Sequence, residues 1–233
     1  MICTGWTRRV PARALVAALL VAPAAGVRAD DAAEPAPPPI AVGLDGGFGP
    51  VFHLETGERN YAPKFRASPF VRYGWAHLGA ALEIDAYTRS LRQDDDDWLG
   101  PGETRIIRHQ VVFASTLGAS LPEGTLGDGW LGRHLRLELL GETGVIRTRL
   151  EEQLGANGVG DRTLRKSTPF VGARLGLRMR FGSPAAGSFG LAAFYRHPFD
   201  DERFRSANGR REPIAGDTVG VLIFGGADVT LRR

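Results

Sequence analysis

The sequence predicts an all-β fold, an up-and-down antiparallel barrel of about eight strands, on three observations. The segment Val171 to Phe181 (VGARLGLRMRF) puts Val171, Ala173, Leu175, Leu177, Met179 and Phe181 on one parity. Gly172, Arg174, Gly176, Arg178 and Arg180 fall on the other. Successive side chains of a strand point to opposite faces, so one face is wholly apolar, whereas a helix would scatter the arginines around its circumference. Ladders of this period recur along the chain with strictly local connections. Their polar faces are mostly Gly and Ala, interrupted by isolated charges of both signs.

Length and charge bound the reading. A chain of 233 residues holds one large β domain or two small ones. Met1 to Ala29 reads as a secretory signal peptide: Arg8, Arg9 and Arg13 precede the apolar run Ala14 to Gly26, and Val27-Arg28-Ala29 offers a small-residue cleavage site. That run is shorter than the roughly 20 residues a membrane-spanning helix needs. Four of the 29 basic residues lie in this segment and none of the 26 acidic ones does, so the remainder is within one charge of neutral. The basic balance therefore gives no support to a nucleic-acid partner, which would require a clustered basic stripe. The single cysteine, Cys3, would leave with the signal, excluding disulfide and thiolate chemistry from the mature chain. Asp30 to Pro39 (DDAAEPAPPP) reads as an extended, proline-rich tether, and residues 40–233 as the barrel.

The strands follow in order. Ile40, Val42, Leu44 and Phe48 alternate with small or polar residues in the first, and Gly49 to Ala67, with Pro50, Gly57 and Pro63, reads as a long loop. Val71, Tyr73 and Trp75 form the second strand, with a reversal at Ala76-His77. Leu78, Ala80, Leu82 and Ile84 form the third. A loop containing Asp94 to Asp97 leads to the fourth strand, Arg105 to Leu117. Leu121 to Arg133 is a connection, and Leu135, Leu137, Leu139 and Val145 mark the fifth strand. Arg149 to Arg165 reads as a third long loop, before the sixth strand at Val171 to Phe181. After the turn Gly182 to Gly187, Phe189 to Tyr195 is the seventh strand. His197 to Asp217 is a fourth long loop and Val219 to Leu231 the last strand. Four long loops then fall on one end of the barrel, with Leu121 to Arg133 the exception at the other.

Alternation alone does not say which face is inside. A soluble barrel puts its apolar face inward, and a membrane barrel inverts this. A solvated strand face should be dense in Lys, Thr and Glu. Here lysine occurs only at Lys64 and Lys166, read as loop or strand-end positions, and the polar ladder is largely Gly and Ala. Small residues suit the crowded lumen of a narrow barrel. Arg72, Arg108, Arg136, Arg174 and Arg178 face inward with Glu83, Asp85, Glu138 and Glu142, and are expected to form a lumen charge network, because buried charges persist only when paired. Tyr73, Trp75, Phe181 and Phe189 near turns, with Phe170 and Tyr195 near loops, suggest two interfacial aromatic girdles.

With these features, Ile40 to Leu231 resembles the small outer-membrane β-barrels of Gram-negative bacteria, of the outer-membrane-protein-A transmembrane-domain type. Gly226, Val229 and Leu231 match the glycine and two hydrophobic positions of that family's terminal-strand assembly signal. Arg232-Arg233 follow, where the family usually stops at an aromatic. The resemblance implies a cell outer-membrane location, contact with outer-membrane lipid and lipopolysaccharide, and recognition by the barrel-assembly machinery.

Catalytic signals are sparse. Some small barrels edit lipid A, such as lipid A deacylases, which carry His and Ser two apart on a lipid-facing strand. Here the residue two after His197 is Phe199, and the nearest serine, Ser206, lies in a loop. His109 and Ser115 share a face but are too far apart for a hydrogen bond. Asp94 to Asp97 does not have calcium-loop spacing. Gly43, Gly46, Gly47 and Gly49 lack a following helix and Lys, so they read as a closely packed strand rather than a phosphate loop. The expected function is therefore a non-enzymatic structural or surface-interaction barrel without cofactor or metal, its lumen plugged by charge. The alternatives are a lipid A-modifying enzyme and a porin-like conduit for small solutes.

Overall fold

The structure, a computed structural model, describes residues 38–54, 61–85, 89–90, 104–121, 127, 129–154, 162–200, 202–207, 209 and 211–231. The expected signal peptide, residues 30–37 of the expected tether, the acidic run 94–97 and the last two arginines lie outside the described residues.

Among the described residues, eleven strands and one short helix follow in chain order. They are β1 (Ile40–His53), β2 (Tyr61–Tyr73), β3 (Ala76–Asp85), β4 (Arg89–Ser90), β5 (Thr104–Ser120), α1 (Trp130–His134), β6 (Leu135–Leu154), β7 (Arg162–Phe181), β8 (Ala185–Pro198), β9 (Arg203–Arg205), β10 (Arg211–Pro213) and β11 (Thr218–Leu231). Eight of them form the barrel, in the order β3-β2-β1-β11-β8-β7-β6-β5, and the pairing of β3 with β5 closes it. All neighbours are antiparallel. β4 continues the pairing along β5 beyond the end of β3, and β9 and β10 form a separate small hairpin.

Side-chain parity holds around the wall. On β7, Leu175 is 52% exposed and Leu177 44%, while Arg178 is fully buried. Val42, Leu44 and Phe48 on β1, Leu191 on β8 and Ile223 on β11 also face outward. The inside holds Asp45, Arg72, Glu83, Glu138 and Arg196. An apolar wall around a charged interior is the inverse of a soluble barrel and matches one immersed in lipid.

Several expected loops are strand. β1 runs to His53 and β2 begins at Tyr61, so most of the segment from Gly49 to Ala67 is paired. The prolines are accommodated locally. Pro50 faces Pro63 across β1 and β2, the β1–β11 pairing is interrupted at Gly49 and Pro50, and Pro63 lies beyond the last β2–β3 pair. Missing N–H groups therefore fall where no partner needs them. Pro69 interrupts the β2–β3 pairing, and the Ser68 hydroxyl donates to the Ala80 carbonyl at 3.0 Å within that gap. Gly49 is required by approach: a Cβ there would sit 1.9 Å from the Val221 carbonyl oxygen. The reversal after β2 falls at Gly74-Trp75, not Ala76-His77, since Tyr73 pairs with Ala76. Gly74 has φ +58° and Trp75 does not have positive φ, the pattern of a II′ hairpin with glycine first.

β6 and β7 are 20 residues each and extend well beyond the ~9–11 residues a tilted spanning strand requires. Most of the expected loop from Arg149 to Arg165 is consequently strand, projecting past the apolar band. On the outward parity of β6 that band ends at Val145, and Arg147 and Arg149 follow.

An arginine placed outward at mid-wall should meet hydrocarbon. Leu175→Arg is expected to destabilise the folded barrel by about 2–4 kcal/mol in urea titrations from lipid vesicles. Gly176→Ala, whose Cβ would meet nothing closer than 3.5 Å, should be nearly neutral. Equal costs for the two would mean the faces are reversed.

Candidate functional site

The lumen is filled by ionic clusters stacked along the barrel axis. Near the turn end, Arg72 donates to Asp228 at 2.6 Å, and Arg180 reaches the same carboxylate at 2.7 Å and Thr230 at 3.0 Å. Above it, Arg178 of β7 uses all five of its N–H donors. Asp45 is held bidentately at 2.8 and 2.5 Å, Glu138 at 2.6 and 3.3 Å, and the Ser188 hydroxyl accepts at 2.8 Å. Arg174, four residues away on the same face of β7, lies 3.8 Å from Glu138.

The next layer is a closed square of two arginines and two glutamates. Arg196 donates to Glu83 at 2.7 and 2.5 Å and to Glu142 at 3.0 and 2.9 Å. Arg66 pairs with the same two carboxylates, each at 2.7 Å. Beyond the square, Lys64 donates to Gln110 at 3.0 Å and lies 3.5 Å from Asp85. The backbone N–H of Gln110 also donates to Asp85.

Aromatic rings line the same space. Arg178 lies over the rings of Phe224 and Phe70, at 4.8 and 5.2 Å from their centroids. Arg196 lies 4.3 Å from Phe194 and 5.4 Å from Phe170. Weakly hydrated guanidinium planes tolerate such stacking, and each ring face adds attraction where water is excluded.

The connection after β8 folds over the loop end. Phe204 of β9 and Ile214 are buried against Ile106 and Leu150, with Leu164 packed alongside. Arg108 donates to the Pro213 carbonyl at 2.6 Å, and the Ala207 N–H donates to Glu152 at 2.6 Å. Lys166 binds Asp200 and Glu202 at the outer edge. Its ammonium, then the Glu202 backbone N–H, hold the Asp200 carboxyl below the ordinary aspartate range.

The residues named from sequence therefore occupy the inward face, and several of their partners lie outside the named set. Glu138 meets Arg178 and Arg174. Glu142 meets Arg66 and Arg196 instead, Arg72 meets Asp228, and Asp85 meets Lys64. Arg136 lies opposite Arg178 in the β6–β7 register and is partly buried. Lys64 corrects the loop or strand-end reading: it is a buried lumen residue within β2. Arg66 was hidden in the same mis-assigned segment. Arg196 and Asp228 carried a usable signal, since both fall on the inward parity.

Phe170 is fully buried in the lumen, so it is not a girdle residue. The turn-end belt holds: Tyr73 and Trp75 are exposed, and Trp130, His134, Phe181 and Phe189 form a run of ring contacts with centroids 5.1 to 6.4 Å apart. On the outer wall near the loop end, His197 Nδ1 lies 2.7 Å from Asp217 Oδ1, and the Tyr195 hydroxyl donates to Asp217 Oδ2 at 2.9 Å.

Breaking the central cluster should be costly because a buried charge would lose its partner. Arg178→Met or Glu138→Gln alone is expected to cost about 3–5 kcal/mol. The double variant should recover about 0.5–3 kcal/mol of the summed loss in the same unfolding measurement. Strict additivity would show that the two side chains do not act together.

No protein-family model and no curated protein sequence matches the chain. Among solved structures it is similar to Neisserial surface protein A, with 9% identity and a TM-score of 0.45 over 82% of this chain and 97% of that one. Ail, the attachment invasion locus protein of Yersinia pestis, in complex with the heparin analogue sucrose octasulfate, aligns with 10% identity and a TM-score of 0.44, covering 84% and 99%. The outer membrane protease OmpT from Escherichia coli aligns with 12% identity and a TM-score of 0.27, covering 86% and 99%. The assignment itself stands on this chain's own wall and lumen. A closed eight-stranded antiparallel barrel, apolar outside and charged within, is a small transmembrane barrel of the outer-membrane type.

Proposed function

We propose that the protein is a non-enzymatic outer-membrane barrel with a sealed lumen, whose role is structural or surface-interacting. The observation that carries this reading is the double closure of the interior. Ion-pair clusters, guanidinium–carboxylate except for Lys64 at Asp85, occupy the bore from Asp228 to Asp85, and Phe204 and Ile214 cap the loop end. A narrow eight-stranded barrel has room for side chains and little else. Solute passage would require breaking charge pairs that hold one another in place, so the conduit alternative is disfavoured. Function then resides in the loop end, where connections are free to vary without disturbing the wall.

The lipid-modifying alternative draws on one observation, the His197–Asp217 contact on the outer wall. A carboxylate-oriented imidazole is half of a hydrolytic apparatus. The position two residues on is Phe199, which packs edge-on against the His197 ring at 6.0 Å rather than supplying a hydroxyl.

Two measurements separate the readings. Purified barrel in planar bilayers is expected to give negligible conductance, and a large steady current would revive the conduit. Lipid A extracted from cells expressing the wild type and His197→Ala should have the same acyl composition by mass spectrometry. A His197-dependent loss of an acyl chain would establish the enzyme.

A further inference from the structure

One sector of the outer wall carries a basic patch that neither the lumen nor the cap uses. Across β5, β6 and β7 the register aligns three outward rows near the loop end. His109, Arg149 and Arg165 form the upper row, Val111, Arg147 and Ser167 the next, and Phe113, Val145 and Pro169 the lowest. A shallow groove of about 620 Å³ opens over these rows. The lowest row belongs to the apolar band, so the arginines stand where the wall passes from hydrocarbon to water. Longer loops mark the extracellular end of such barrels, which places the patch at the outer leaflet.

The charge arrangement is unfavourable as it stands. Arg149 and Arg165 are directly opposed across neighbouring strands, and like charges so placed destabilise a sheet. Arg147 lies two residues along the strand, roughly 7 Å away. Arg149 pairs with Glu151 at 2.5 Å, but among the described residues no carboxylate pairs with Arg147 or Arg165. Lys166 is already occupied by Asp200 and Glu202. Near the loop ends of β1 and β8 the outer wall presents the exposed rings of Phe52 and Phe199 instead. Among the described residues of the wall, the two arginines without a carboxylate partner, Arg147 and Arg165, stand in this one sector.

We propose that this patch binds the phosphorylated headgroup of an outer-leaflet lipid, with the lipid's acyl chains lying on Phe113 and Val145. Guanidinium forks match phosphate oxygens bidentately, and an anion between them relieves the repulsion of Arg149 and Arg165. The apolar row below selects a membrane lipid over a free anion. The inference rests on the outer-membrane placement but not on the sealed lumen, so conductance and lipid binding fail independently.

The test uses the full barrel in nanodiscs of phosphatidylcholine containing either bisphosphorylated or fully dephosphorylated lipid A, with bound lipid counted by native mass spectrometry. The wild type is expected to retain the bisphosphorylated form at least tenfold more than the dephosphorylated one. Arg147→Gln/Arg165→Gln should remove most of that preference, while Arg203→Gln/Arg211→Gln, on the cap, should keep it. Heat-modifiable gel migration checks that each variant is folded, and the two-lipid comparison on the wild type needs no variant. Equal retention of both lipids, unchanged retention by the patch variant, equal loss in the cap variant, or displacement by millimolar inorganic phosphate would overturn the proposal.

Discussion

The structure depends on burying charge inside a wall that faces lipid. Arg178 shows how this is made tolerable. Taking a guanidinium out of water is expensive, and its partners return that cost only when geometry is good and no polar atom is stranded. Arg178 meets both conditions, with five donors on five acceptor contacts and two ring faces within 5.2 Å. Arg196 and Arg66 share the same two glutamates, each guanidinium neutralising both carboxylates. Buried ion pairs seldom add net stability over a well-packed apolar core, so another gain must explain their density here.

That gain is register. An apolar interior inside an apolar wall would leave the two faces of every strand alike, and pairing could slip by one residue at little cost. Here a one-residue slip of β7 would turn Arg174, Arg178 and Arg180 into hydrocarbon, at roughly 2–4 kcal/mol each near mid-membrane. The same slip would strand Asp45, Glu138 and Asp228. Charge inside and lipid outside thus specify a single alignment of strands, one that also seals the bore.

Alternation made the wall and most inward charges legible from sequence, because period two is insensitive to where a strand ends. The ends themselves were obscured by prolines. Pro50 and Pro63 read as loop signals, yet they face one another where ladder bonds are already interrupted, and Lys64 and Arg66 were lost with them. Partner choice was illegible for a different reason. Glu142 lies on the strand next to Arg174, but barrel curvature brings Arg66 and Arg196 to it across the lumen. The cap was equally hidden, since Phe204 and Ile214 sit in a segment whose polar composition gives no inward direction.

Alternating environment along one strand is the most direct test of the whole arrangement. The only native cysteine is Cys3, far from the wall in sequence and replaceable by serine, so single cysteines can be placed at successive positions from 170 to 181 and spin-labelled in lipid vesicles. Odd positions should be accessible to oxygen and not to a water-soluble nickel chelate, and even positions to neither. Nickel accessibility at even positions would reveal an open aqueous bore. Nickel accessibility at odd positions would contradict the lipid-facing wall on which every other conclusion rests.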